Sequence, residues 1–366
     1  MTEIGYWASQ EQYSMQQLID FVKEAEKGGF GKTLTSDHFH PWSHTNGHGN
    51  FTWVWISAAA ERTKKMKFIT GVTAVAYRYN PGIIAQAFAS LDVLYPGRVG
   101  LGVGSGEAMN EVPLGFDWPS AETRVEKTIE AIHIISKLWS RNGKSTKDFK
   151  KSSGNDSKEY NSYVSSIDEN GFVTFKGKYF KIKNAKLYTP PSTSIPLYMA
   201  GSGPQAIKAA ARHTDGLITT SKPDHASQVF SIFENAAKEA GKDTNSLEKI
   251  AKPKVSFSED YDKAFKASEF WRTTQIDDAF DTDISDPRIL EKKAQQEVSD
   301  DEQKKSTIIV TSIEDLISPI EKYFRAGFTQ IYMHSTSPDE IEFIRLFSKR
   351  VLPYFAKSGK KSNELS

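Results

Sequence analysis

Short apolar runs alternate along the chain with stretches whose apolar residues recur every three to four positions. The run at 4–8 reads as a strand. It is followed over 15–27 by Leu18, Ile19, Phe21, Val22 and Ala25 at helical spacing, closed by Gly28 and Gly29. The same alternation predicts strands at 32–36, 67–72, 98–103, 196–200, 216–219, 254–257 and 330–334. Helices are predicted at 51–62, 83–94, 122–139, 205–212, 226–240, 313–326 and 340–350. Strand-then-helix units with short connections, repeated eight times, form an α/β chain with a parallel sheet, and the count favours a single closed (β/α)8 TIM barrel over 1–355.

Three stretches break the rhythm. Residues 140–170 are rich in Lys, Ser, Asn and Asp and nearly devoid of aliphatics, which predicts a mobile surface insertion. It leads into a β-hairpin folded about Lys176 and Gly177, with alternating Phe172, Thr174, Lys176 and then Tyr179, Lys181, Lys183. Residues 258–307 form a charged, poorly periodic excursion with a helix near 262–270, and 356–366 read as a disordered tail. The length of 366 residues would by itself favour two domains, and the barrel pattern overrides that prior.

Charge and composition then narrow the classes. Lys and Arg number 47 against 46 Asp and Glu, a formal net charge of +1, so no global field draws the chain to nucleic acid or anionic lipid. The absence of cysteine excludes disulfides, thiolate metal sites and a cysteine nucleophile. No basic and apolar leader opens the sequence and no apolar run reaches the roughly 18 residues of a membrane span, so a soluble cytoplasmic protein is expected.

In a barrel, chemistry collects where the strands end at their C-terminal face. Four of the eight histidines, His38, His40, His44 and His48, follow the second strand. Pro41 and Gly47 break any helix that would align them and no acidic cluster lies nearby, so no metal site is expected. Two readings of Asp37 and His38 stand: hydrogen bonding at a strand end, or His38 beside Asp37 and Trp42 as a general base. The run from Leu101 to Glu107 fails the dinucleotide fingerprint because Glu107 stands where its third glycine belongs. That carboxylate is either merely solvated or placed against a cofactor ring. Gly201, Ser202 and Gly203 before Pro204 leave backbone N–H groups at a helix N-terminus where a phosphate can sit, and Thr220 and Lys222 add a hydroxyl and a cation.

The segments IGYWASQEQY, SDHFHPW, RYNPGIIAQAFASLDVLYPGRVGLGVGSGEAMNE and YMAGSGP resemble the luciferase-like deazaflavin (coenzyme F420)-dependent oxidoreductases, in order from residue 4 to about 335. DHFHPW together with GEAMNE resembles the branch that oxidises alcohols or sugar phosphates, with the F420-dependent glucose-6-phosphate and secondary alcohol dehydrogenases close in pattern. The resemblance implies a homodimer of (β/α)8 barrels that binds coenzyme F420 and an alcohol or sugar-phosphate substrate. It implies His38 as the base for the hydroxyl proton, Trp42 near the developing carbonyl, Glu107 on the N1 side of the ring and Glu11 beside the substrate. Asp37, Ser105 and Asn110 would line the ring, with Gly71 and Val72 where the family has a non-prolyl cis peptide. Gly201, Ser202, Gly203, Thr220 and Lys222 would hold the cofactor tail or a substrate phosphate, and Trp42, Trp53 and Trp55 would shield the site from water.

One departure bears on the substrate. The sugar-phosphate members use two further cations from the later half, and by spacing these fall at Asp281, a charge reversal, and at Lys304 or Lys305. A dianion would be repelled at Asp281 unless Arg272 or Arg288 compensates. The expected activity is hydride transfer between F420 and a hydroxyl-bearing substrate. The alternatives are a flavin monooxygenase, a methylenetetrahydromethanopterin reductase and a non-catalytic F420-binding protein.

Overall fold

The computed structural model describes residues 2–140, 163–276, 279–280 and 282–356. Most of the 140–170 insertion, Asp281 and the tail beyond 356 lie outside the described residues.

Eight parallel strands close on themselves: β1 (Glu3–Ala8), β2 (Lys32–Thr35), β3 (Lys67–Thr70), β4 (Val99–Gly104), β5 (Leu197–Ala200), β6 (Gly216–Thr219), β7 (Glu248–Ala251) and β8 (Gln330–Ser335). Each pairs with the next, and β8 returns to β1 from Glu3↔Gln330 to Tyr6↔Met333. The helices form because their apolar stripes need covering. Met15–Lys27 starts at Ser14, whose hydroxyl and Gln17 make a reciprocal cap, and buries the five residues that the periodicity singled out. Inside the barrel, Trp7, Leu34, Ile69, Tyr198, Ile218, Ile250 and Tyr332 fill the interior.

The seventh strand differs from expectation. The sequence predicts it at 254–257, whereas the strand that closes the barrel beside β6 is Glu248–Ala251. Lys254–Phe257 continues it, since Ile250↔Gln330, Ala251↔Ile331, Lys254↔His334 and Val255↔Ser335 keep one register along β8. Pro253 has no N–H to give to a ladder, and the polar Glu248 and Lys249 mask the first half from an apolar-run criterion.

The hairpin is present as Val173–Lys176 and Lys181–Ala185, with Val164–Ile167 added antiparallel on its other edge. Glu130 fixes it to helix Ala121–Trp139 by accepting from the backbone N–H groups of Lys178, Tyr179 and Phe180. The charged excursion contains helices Tyr261–Ser268, Glu269–Gln275, Pro287–Glu297 and Asp300–Ser306. Its apolar residues Trp271, Ile276, Leu290 and Ala294 pack with Trp42 and Met109. Among the described residues no helix is long and apolar enough to cross a membrane.

Candidate active site

The loops after β1 and β2 are joined by Gln10, whose backbone N–H donates to Ser36 Oγ at 3.0 Å and whose side-chain amide donates to Thr35 Oγ1 at 2.9 Å. This holds Glu11 in place. Glu11 is 1% exposed, and the hydroxyls of Ser36 and Ser9 both donate to Oε2. Oε1 is left facing His38, with Nε2 at 3.4 Å.

Glu107 arrives from β4. Gly106 takes φ +90°, a conformation that favours glycine, and turns the chain so that Glu107 opens the short helix Ala108–Glu111. Glu107 Oε2 lies 3.9 Å from His38 Nε2. Asn110, one turn on, accepts at Oδ1 from the N–H groups of Phe39 at 2.7 Å and His40 at 3.3 Å. Those two donors fix the amide. Its Nδ2 must therefore face outward, where it donates to Glu107 Oε2 at 2.8 Å and meets His38 Nδ1 at 3.2 Å. With an amide N–H against Nδ1, a neutral imidazole carries its proton on Nε2, the nitrogen that faces both carboxylates.

A second polar layer lies beneath. Asp37 Oδ2 accepts from Thr73 Oγ1 at 2.7 Å, and Arg78 bridges Asp37 and Glu111 at 3.6 and 3.5 Å. Burial pushes the Glu111 carboxyl up to about 7, against the opposing pull of Arg78. The Gly71–Val72 bond is cis, as the resemblance implied. Trp42 lies 6.1 Å from the His38 ring, centroid to centroid, and is sealed behind by Phe280. Trp53 and Trp55 do not shield the site: both are buried in helix-to-barrel packing, Trp55 against Phe68 and Trp53 against Tyr79 and Phe88. Trp53 reaches the site only through Thr73, to which its indole N–H donates at 3.4 Å. His40 turns toward the carbonyl of Ser285, and His44 is exposed, so of the four loop histidines His38 alone meets the carboxylates.

Across the mouth, helix Pro204–His213 begins at Gly203 without any side-chain cap, and Ser202 and Gly203 are exposed. Gly201 is already engaged, donating its N–H to the carbonyl of Ile218. An uncapped N-terminus suits a phosphate, and the partly exposed Ser105 and Glu107 offer hydrogen-bonding groups to a heterocycle. The residues present thus fit a phosphate-tailed ring cofactor. Thr220 is exposed. The ammonium of Lys222 donates to the backbone carbonyl of Lys305 at 2.9 Å, while the Lys305 side chain is exposed. Lys222 is thereby tethered to the backbone at Lys305.

The sequence reading overlooked Arg78, Glu111, Lys252, Lys254 and His334. The alternating Lys-Pro-Lys at 252–254 was the available signal, hidden because the first half of the seventh strand, 248–251, was not recognised.

The model of the luciferase-like monooxygenase family matches residues 1–330. The chain belongs to this family. It is 32% identical to an F420-dependent glucose-6-phosphate dehydrogenase of Microbacterium testaceum, over 96% of this chain and 97% of that protein. Among solved structures it is similar to an F420-dependent secondary alcohol dehydrogenase in complex with an F420–acetone adduct, with TM-score 0.84 and 36% identity over 96% of this chain and 98% of that one. A coenzyme F420-dependent tetrahydromethanopterin reductase from Methanopyrus kandleri, 21% identical with TM-score 0.72 over 97% and 99% of the two chains, shares the fold.

Proposed function

We propose that this protein is an F420-dependent dehydrogenase that oxidises a CH–OH group, or reduces the corresponding carbonyl, within the barrel mouth. The observation that carries the reading is the joining of His38, Glu11, Glu107 and Asn110 into one hydrogen-bonded cluster at the C-terminal ends of β1, β2 and β4. Coenzyme F420, when bound, supplies the two-electron acceptor that takes up hydride. The chain supplies the proton chemistry. The His38–Glu11 pair takes up the hydroxyl proton: Glu11 Oε1 accepts it while the Nε2–H of His38 donates to the substrate oxygen, so the pair gains one proton for each hydride that leaves. Asn110 keeps the imidazole plane fixed, and Glu107 holds charge on the ring side. Asp37, Ser105, Asn110, Gly71 and Val72 would contact the ring, and Ser202 and Gly203 the phosphate of the tail. Trp42 closes the site against water.

The same reading takes the enzyme to be cytoplasmic and a homodimer. Supporting the dimer, helices Thr52–Glu61 and Pro81–Leu94 leave Val54 and Leu94 exposed along one groove with Ala58, Ala87 and Leu91, and Phe51, Ile83 and Val93 are exposed as well, apolar surface that a second copy would cover.

Cofactor choice separates this reading from a flavin monooxygenase. Titration of the protein should give saturable binding of F420 and weaker binding of FMN, with no oxygen consumed when the reduced complex meets air and substrate. Tight FMN binding with substrate-dependent oxygen uptake would replace the proposal with the monooxygenase.

A further inference from the structure

Alternation along β7 decides where the lysines beyond it point. Ile250 faces the barrel interior beside Trp7 and Tyr332, so in the continuing register Lys252 and Lys254 also face inward, at the mouth. Lys252 places its ammonium 3.8 Å from the centroid of the Trp7 ring. Lys254 donates to Thr274 Oγ1 at 2.7 Å. Among the described residues neither has a carboxylate in ion-pair contact. His334 shares this layer, 1% exposed, with Trp7 at 5.3 Å and Trp271 at 4.5 Å. Neither of its ring nitrogens has a hydrogen-bond partner among the described residues.

Two half-buried cations and an unpartnered buried imidazole on one wall are costly unless a ligand completes them. Burial drives Lys252 down to about 8 while Glu11 and Glu107 pull it back, so this wall lies within electrostatic reach of the carboxylates beside His38. Burial drives Lys254 down to about 7, helped by repulsion from Lys252 and Lys222. Each of these costs would be relieved by an anion.

We propose that Lys252 and Lys254, with His334, form a subsite for an oxyanion carried by the substrate, so that the enzyme takes an anionic alcohol, either a phosphate monoester or a hydroxycarboxylate. The inference rests on the dehydrogenase reading for the word substrate, and on the β7 wall alone for the anion. The subsite supplies positive charge without position 281.

The test has a binding arm and a turnover arm. Inorganic phosphate is titrated into the F420-loaded protein by calorimetry, for wild type and for Lys252→Met, Lys254→Met and Lys254→Arg. One site per chain is expected, weakened on the order of tenfold to a hundredfold by each methionine and largely restored by arginine. Absence of a saturable site, loss of the site on cofactor loading, or equal affinity in the methionine variants overturns the subsite. In the turnover arm, glucose is compared with glucose 6-phosphate and 2-butanol with 3-hydroxybutyrate. Wild type should favour the charged member of a pair by on the order of a hundredfold in kcat/KM, and the methionine variants should lose that preference. Which pair reacts separates the phosphate from the carboxylate. Preference for the neutral members overturns the proposal. Phosphate binding as predicted, without turnover of any alcohol, leaves the subsite standing and counts against the dehydrogenase reading instead.

Discussion

The chemistry depends on how firmly single residues are held. His38 is gripped from one side by the Asn110 amide and faces Glu11 on the other, so the two partners should fail differently. His38→Ala should keep F420 binding and lose turnover by on the order of a hundredfold or more, and unchanged turnover would remove His38 from its role. Asn110→Ala should lower kcat by about tenfold and shift the pH–rate profile, because the ring loses both its fixed plane and the amide N–H that sets its tautomer. A pH–rate profile of that variant with the wild-type shape would leave Asn110 a structural residue only. Arg78 is a harder case, because it is buried between Asp37 and Glu111. Arg78→Met would leave buried carboxylates without their cation and should cost about 3–5 kcal/mol in urea unfolding. His38, Glu11, Glu107 and Asn110 were all legible as residues in loops after strands. Arg78 was not, since nothing in the AYRYNP run marks it as buried rather than solvated.

Element positions followed from periodicity wherever an element has one clean apolar face. Helix Met15–Lys27 and β1 are such cases. β7 is not, because Glu248 and Lys249 begin it and Pro253 follows it, and a strand read only from Lys254 onward gave no reason to see Lys252 and Lys254 facing one wall. The pair of helices Ala121–Trp139 and Pro204–His213 carries a further consequence. They meet at His133 and His213, whose rings lie 4.8 Å apart, with Tyr163 at 3.3 Å from His133 Nδ1. Burial lowers His133 to about 4 and His213 well below its ordinary value. Both are therefore held neutral in the fold and charge more readily when unfolded. The stability they contribute is full above pH 6.5 and is lost as pH falls toward 4, about 3 kcal/mol of it from His133. Urea midpoints at pH 7 and pH 4.5 measure this loss, and His133→Leu should shrink it. An equal loss in the variant would assign acid sensitivity elsewhere.

At the scale of the whole molecule, the barrel places residues from β1, β2, β4 and β7 around one mouth, although they lie up to about 240 positions apart in the sequence. The eightfold alternation made that architecture legible. It could not reveal the cap formed by the charged excursion, whose apolar residues Trp271, Ile276, Leu290 and Ala294 are too widely spaced to form a run. The exposed face of helices Thr52–Glu61 and Pro81–Leu94 leads to a prediction at this scale. Sedimentation should give a dimer for wild type and a folded monomer for Val54→Glu combined with Leu94→Glu, and a wild-type monomer would contradict the assembly.

The central claim is that this barrel mouth removes hydride and proton together from a hydroxyl-bearing carbon. It is tested most directly by mixing the protein anaerobically with oxidised F420 and a panel of alcohols, hydroxycarboxylates and sugar phosphates while following the cofactor's visible absorbance. The account predicts bleaching with at least one anionic alcohol in wild type, and none on the same timescale in His38→Ala despite bound cofactor. Bound cofactor that no member of the panel bleaches, or bleaching as fast in His38→Ala as in wild type, would contradict it.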